Sequence, residues 1–169
     1  MAGISGSGGI GAEDLQSGTA WWGGKGCVVG DVLSGTVISA GKEQQRDFDT
    51  GSFLEWDNGD PRMETVVVVQ TDLRDPEREA DDGRRALHLR GGNYDVDTGS
   101  GQAGEKALLE AINKSGLRCD TGVKISAAIT GMAKPTGRGR NAAKLWTFKL
   151  EPGEPAASGV GEEDFDPFA

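Results

Sequence analysis

Basic side chains concentrate in the segment from Arg118 to Lys149, which holds seven Lys and Arg residues against a single acid, Asp120. The local net charge is therefore +6, whereas the whole chain carries −9 at pH 7. A polyanion responds to the local field at close range, so this segregation favours contact with a phosphate backbone. Five of these residues are predicted phosphate contacts: Lys124, Lys134, Arg138, Arg140 and Lys144.

Flat side chains suited to stacking on nucleic-acid bases also occur outside this basic segment. Trp56 lies beside a turn signal in a long loop, and Tyr94 follows a predicted strand. Arg84, His88 and Arg90 alternate along that strand and are expected on its outward face. Aromatic stacking contributes about 1–3 kcal/mol per base, and Arg guanidinium planes stack on bases too. These five residues are predicted to contact single-stranded nucleic acid.

For the aromatic residues, packing is the alternative to base stacking. Trp146 is a further predicted base contact, but it shares a strand face with other apolar residues, which favours the core. Trp56 and Tyr94 fit packing against a barrel as well as stacking. Trp21 and Trp22 fit a base clamp, a lid on the barrel end or a subunit contact.

The nine C-terminal residues, Gly161 to Ala169, combine acids with aromatic rings. Solvated acidic segments carry few aromatics, so Phe165 and Phe168 are interpreted as anchors for a partner's pocket with a basic rim. An incidental solubilising tail is the alternative. The charge segregation also predicts that the tail competes with a polyanion for the basic segment. The predicted partner-binding residues are Glu162, Glu163, Asp164, Phe165, Asp166, Pro167 and Phe168.

Hydrophobic periodicity predicts a mainly β chain with one helix. Four consecutive valines at 66–69 indicate a buried strand, and the apolar face around Leu108 and Ile112 indicates a helix that Gly116 can end. A small hairpin is expected around residues 52–56. The predicted elements are strands at 27–41 (bent or bulged near Gly35), 63–72 and 84–91, a helix at 103–116, and strands at 122–134 and 143–151.

This order of elements predicts an OB-fold, a five-stranded Greek-key barrel with one helix between the third and fourth strands. An SH3-like barrel does not explain the helix, and an unrelated β-sandwich is the remaining alternative. Composition predicts three regions. A flexible, Gly-rich arm covers residues 1–24, the OB-fold domain covers residues 25–151, and a disordered acidic tail covers residues 152–169.

Patterns that would indicate an enzyme, a cofactor or a metal are weak. The GxGxxG pattern from Gly6 to Gly11 has no strand before it, so it lacks the context of a dinucleotide-binding motif. Cys27 and Cys119 have no CxxC spacing and are expected to be reduced and partly buried, with a disulfide as the alternative. A lone His88 cannot build a proton relay. We therefore predict no catalytic residues, no cofactor and no metal, and the absence of a signal or membrane-span pattern predicts a cytoplasmic protein.

The strand–helix order, the basic strand–loop–strand and the acidic Phe-containing tail together resemble bacterial and phage single-stranded DNA-binding proteins. In that family an OB-fold binds the strand, and the tail ends in several acids followed by an apolar residue, Pro and Phe. The run from Glu163 to Phe168 is similar, with an extra Asp166 before the Pro and with Ala169 after the final Phe. In the family's corresponding strand, aromatics stand where this chain has Arg84, His88 and Arg90.

The resemblance implies sequence-independent binding and protection of single-stranded DNA during replication, recombination or repair, with partner proteins recruited through the tail. It also implies a homo-oligomer. The composition is closer to a phage-encoded member, which would work in the host cytoplasm. Two alternatives stay open: an OB-type module that binds protein without nucleic acid, and an RNA-binding barrel.

Overall fold

A computed structural model describes residues 20–24, 26–47, 49–135 and 142–153. These residues form seven strands and one helix. In chain order the elements are β1 (Ala20–Trp21), β2 (Val32–Gln44), β3 (Met63–Gln70), β4 (Arg84–Leu89), β5 (Val96–Gly99), α1 (Gly104–Ser115), β6 (Lys124–Ala133) and β7 (Lys144–Glu151).

The strands form one curled, half-barrel sheet. Its order is β1-β4-β3-β2-β6-β5, and β7 pairs with the other edge of β6. All neighbours are antiparallel except β1 and β4, which run parallel. The chain is therefore mainly β, as the sequence predicts.

Strand β2 joins the two halves of this sheet. Residues 36–44 pair with β3, residues 32–36 pair with β6, and the β3 register shifts between Val37 and Ser39. The bulge predicted near Gly35 thus lies about three residues further along the strand. Gly35 itself sits where the backbones of β2 and β3 approach closely, because an added Cβ would overlap the carbonyl oxygen of Gln70. Glycine lets the strand change partners at this corner.

The core fills the inside of the curl. Val67 and Val69 from β3 and Leu87 and Leu89 from β4 are fully buried there, because alternate residues of a strand point to the same face. Helix α1 packs against β7 through buried Ala107, Leu108 and Ala111. Gly116, in the left-handed conformation at φ 74°, ends the helix by donating its N–H to the carbonyl of Ile112.

Most of the predicted elements match the structure within two residues, and the small hairpin is confirmed by the bridges Arg46–Phe53 and Glu55–Pro61. The first long strand is shorter at its start than predicted, since Val28 and Asp31 hydrogen-bond to each other in a turn before Val32. Strands β1 and β5 were not predicted. No helix in the described part of the chain is long and apolar enough to cross a membrane.

Residues 20–24, which were predicted to belong to the flexible arm, contact the sheet in the structure. Trp22 donates its backbone N–H to the carbonyl of Ala86 and packs its ring on Trp146, with centroids 5.8 Å apart. Gly23 lies directly against the Trp146 indole. Burial of this apolar surface attaches residues 20–24 to the sheet. The rest of the predicted arm, residues 1–19, lies outside the described residues.

Candidate nucleic-acid interface

The outer face of β3 and β4 centres on the carboxylate of Glu64. The register that pairs Thr65 with Leu89 brings Arg90 opposite Glu64. Arg90 Nε donates to Glu64 Oε1 at 3.0 Å, and His88 Nδ1 lies 2.7 Å from Glu64 Oε2. The Glu64 side chain is 5% exposed, whereas His88 and Arg90 are each about one-third exposed. The carboxylate therefore orients both side chains while leaving part of each in solvent.

Trp21 extends this face across β1. Its ring meets His88 edge-on, with centroids 6.0 Å apart and an interplanar angle of 84°. Gly24 lies against the indole, where an added Cβ would come within 2.8 Å of the ring. The residue is nevertheless 46% exposed. The structure therefore holds Trp21 in one orientation with nearly half of its surface open.

The hairpin between β2 and β3, residues 45–62, adds a second exposed indole. Trp56 is 55% exposed, and the guanidinium of Arg62 lies over its ring at 4.5 Å. Arg62 is two residues before Glu64, the spacing that returns a side chain to the same face of a strand. Arg62 has no ion-pair partner among the described residues.

A second pair of an arginine over an aromatic ring lies on the other face of the hairpin. Arg46 lies over the ring of Phe53 at 4.2 Å, and the two residues are direct bridge partners. Trp56 is three residues beyond Phe53, an odd spacing that turns its side chain to the opposite face. The Phe53 ring is 56% exposed, so the two cation–π pairs differ in the face they present and not in their exposure.

We call the residues on the Glu64 side of the sheet and hairpin, without the Arg46–Phe53 pair, the outer-face cluster. It combines an indole, an imidazole and a guanidinium group around one buried carboxylate with a second indole and guanidinium group on the adjoining hairpin, which is the chemistry that stacks bases and attracts phosphates. The sequence identified Trp56, His88 and Arg90 in it. A base clamp was one of the three interpretations of Trp21, whereas Arg62 and Glu64 were missed, because their contacts depend on strand register. The cluster consists of Trp21, Trp56, Arg62, Glu64, His88 and Arg90.

Arg84 lies at the start of β4, away from this cluster. Its Nε is 3.5 Å from Asp82 Oδ2 in an exposed ion pair. The neighbouring Arg85 is buried and grips Asp81 with two hydrogen bonds of 2.8 Å. These bonds, with backbone N–H donors from Gly83 and Asp75, hold the pKa of Asp81 well below its usual range. Arg84 thus lies beside a loop in which Asp81 and Asp82 are held by ion pairs with Arg85 and Arg84.

The predicted basic residues are not one patch. Lys124 and Lys134 lie at opposite ends of β6, about 33 Å apart at the rise of an extended strand. Lys149 pairs with Glu151 at 2.9 Å near the Lys124 end, and this hydrogen bond, with the charges of Lys149 and Lys124, lowers the Glu151 pKa. Lys134 and Lys144 flank the β6–β7 connection. Arg138 and Arg140 lie outside the described residues.

Two predicted stacking residues are placed elsewhere. Trp146 is 6% exposed, with its ring parallel to Phe148 at 5.6 Å, so the structure corrects its assignment as a base contact and places it in the core. Tyr94 packs over Gly92 and donates its hydroxyl to the Gly91 carbonyl at 3.4 Å, lining a depression beside α1. The predicted tail residues, from Glu162 to Phe168, lie outside the described part of the chain.

Comparisons with known proteins add no assignment. A scan against protein-family models, a search of curated proteins and a search of solved structures each found no match to this chain.

Proposed function

We propose that this protein binds single-stranded DNA without sequence preference through the outer-face cluster. The observation that supports this most is the pair of exposed indoles, Trp21 and Trp56, oriented by His88 and Arg62 on one face. A single strand needs flat surfaces for its bases and cations for its phosphates, and base stacking tolerates any sequence. Because both rings are already held by neighbours, binding would lose little side-chain entropy.

The connectivity supports an OB-fold as part of this proposal. The order β4-β3-β2-β6-β7, with α1 between β4 and β6, is the strand order of a five-stranded Greek-key barrel in which β1 and β5 are additions. OB-folds bind oligonucleotides on the face of their second and third strands and in the loops after the first and fourth. Those positions correspond here to β3, β4, the 45–62 hairpin and residues 134–143.

Phosphate attraction would come from two places in this arrangement. Arg62 and Arg90 belong to the cluster, and Lys134 and Lys144 flank the β6–β7 connection, in whose sequence Arg138 and Arg140 occur. Recruitment of replication, recombination or repair proteins by the acidic tail is the second half of the proposal, for a protein acting in the cytoplasm. It depends on residues beyond the described ones.

The test is a titration of tryptophan fluorescence with oligo(dT) at several salt concentrations. We expect quenching, because Trp21 and Trp56 are exposed and would stack, and a log–log salt slope of about −0.7 per neutralised phosphate. Duplex DNA of the same length should bind more weakly. The absence of both quenching and a gel shift would contradict the proposal, and stronger binding of oligo(U) in competition would redirect it to RNA.

A further inference from the structure

A groove of about 670 Å³ lies between α1 and the ends of β2 and β3. Its floor is apolar, with Ala40 from β2, Leu108 and Ile112 from α1, and Cys119 from the loop after the helix. Leu109 stands at the edge and is 56% exposed. Within the described part of the chain, the groove is therefore an apolar surface open to solvent.

The rim of the groove is mainly cationic. It carries Lys42, Lys106 and Arg118 against the single carboxylate of Glu105. Lys42 donates to Glu105 at 2.6 Å, and Lys106 donates to the side-chain oxygen of Asn93. Arg118 is exposed and has no ion-pair partner within the described ranges. An apolar floor with this rim suits a segment that combines aromatic rings with carboxylates.

The sequence itself supplies such a segment, and the described part of the chain ends close to the groove. Gly153, the last described residue, packs against the backbone of Gly122. That loop is tied to β2 by a hydrogen bond of 2.9 Å from Thr121 Oγ1 to the carbonyl of Ile38, and the preceding Cys119 lines the groove. The nine residue steps from Gly153 to Glu162 span about 30 Å when extended, and the three steps from Gly122 to Cys119 span at most about 11 Å. The linker is therefore long enough for the acidic, Phe-containing end to reach the groove.

We propose that residues 162–168 dock in this groove, with Phe165 and Phe168 on the apolar floor and the carboxylates facing Arg118 and Lys42. The groove and the outer-face cluster lie on opposite sides of β3, because Thr65 lines the groove while Glu64 belongs to the cluster. The tail then leaves the cluster open. This differs from direct competition for the basic segment, and it does not depend on nucleic-acid binding.

The experiment uses a nitroxide spin label on the full chain. The label is attached at Ala169→Cys in a Cys27→Ser, Cys119→Ala background, and amide signals are compared before and after reduction of the nitroxide. We expect the groove amides of Gly41, Leu109 and Ile112 to lose more than half of their intensity while those of Trp21 and His88 keep theirs.

Matched variants test each part of the contact. The double substitution Phe165→Ala, Phe168→Ala should restore the groove signals, whereas Val160→Ala in the linker should not. Arg118→Glu should weaken the effect, and adding Asp164→Lys should recover part of it, because the two charges have been exchanged.

Three outcomes would overturn the proposal: loss of signal at Trp21 and His88, no selective loss anywhere, or loss only when labelled chain is mixed with ¹⁵N chain. The last would show that a second copy supplies the tail. Trp21→Ala, Trp56→Ala should leave the groove effect unchanged. Failure of oligo(dT) binding with the groove effect intact would thus contradict the proposed function alone.

Discussion

On each side of strand β3 a carboxylate lies between two hydrogen-bond donors: Glu64 of β3 on the outer face and Glu105 of α1 on the groove side. The side chains around the two carboxylates differ. On the outer face, Glu64 accepts from Arg90 and meets His88 at 2.7 Å. On the groove side, Glu105 accepts from Lys42 at 2.6 Å and from Thr65 Oγ1 at 2.8 Å. The first carboxylate is 5% exposed and the second 25%. Similar anchoring thus supports a face of flat rings and a face of aliphatic side chains.

The difference indicates what each face can hold. Indole, imidazole and guanidinium planes offer stacking surfaces of fixed orientation, which suit bases. Aliphatic side chains such as Leu108 and Ile112 form an apolar surface that imposes no orientation on a ring. Such a surface suits single aromatic side chains, which are stabilised there by burial. One strand therefore separates two surfaces whose ligands need not exclude each other.

The largest expected effect separates the faces by nucleic-acid affinity. Replacing both Trp21 and Trp56 with Ala should weaken oligo(dT) binding about 100-fold, since each substitution removes the indole on which one base would stack. Fluorescence anisotropy of labelled oligo(dT) measures this change. Circular dichroism should show an unchanged fold, because both rings are about half exposed.

Phe53→Ala is the matched control for that experiment. Phe53 is as exposed as Trp56 and is also covered by an arginine, but it faces the other side of the hairpin. We expect less than about a twofold change in affinity, because no stacked base is lost there. An equal loss from Phe53→Ala would show that the strand wraps around the hairpin and does not follow one face.

The second prediction compares how much each of the two carboxylates contributes to the free energy of unfolding. Glu64→Gln should lower the free energy of unfolding by about 2 kcal/mol, because a buried carboxylate loses charge-assisted hydrogen bonds to His88 and Arg90. Glu105→Gln should cost less than about 1 kcal/mol, since its partner Lys42 is 61% exposed. Urea denaturation of both variants measures the difference. Equal losses would mean that burial does not distinguish the faces.

The third expected effect is a pH dependence that arises in the groove and appears only in alkaline solution. Burial, reinforced by the charge of Asp120, raises the pKa of the Cys119 thiol from 9.0 to about 11. The unfolded chain therefore loses this proton first as pH rises, so the contribution of Cys119 to stability falls between about pH 9 and 11. Thermal unfolding from pH 8 to 10.5 should show a steeper decline for the unmodified chain than for Cys119→Ala. Parallel declines would place the thiol in solvent.

Local pattern was sufficient for most of the fold. The valines of β3 and the apolar face of α1 carry their own periodicity, so both elements were predictable from their own residues. Strand β5 has four exposed residues and no alternation, and it forms only because β6 offers a free edge. Strand β1 depends on the burial of Trp22 against Trp146, a contact between residues 124 positions apart in the chain.

The candidate site was predictable only in part, for the same reason. His88 and Arg90 were expected on an outward face from alternation within β4, and they lie there. Their common partner Glu64 is defined by the register of the β3–β4 pair, which the sequence of either strand does not specify. Charge counting along the chain likewise grouped Lys124 with Lys134, although an extended strand keeps them at its two ends.

Gly35 connects these observations to the variation that the chain can tolerate. At this corner the backbone of β2 passes so close to Gln70 that any side chain would push β3 away. Even alanine would bring its Cβ into overlap with the Gln70 carbonyl oxygen, so β2 or β3 would have to shift. Because β2 passes from β3 to β6 at this point, selection acting on either surface of β3 would also preserve the glycine at position 35.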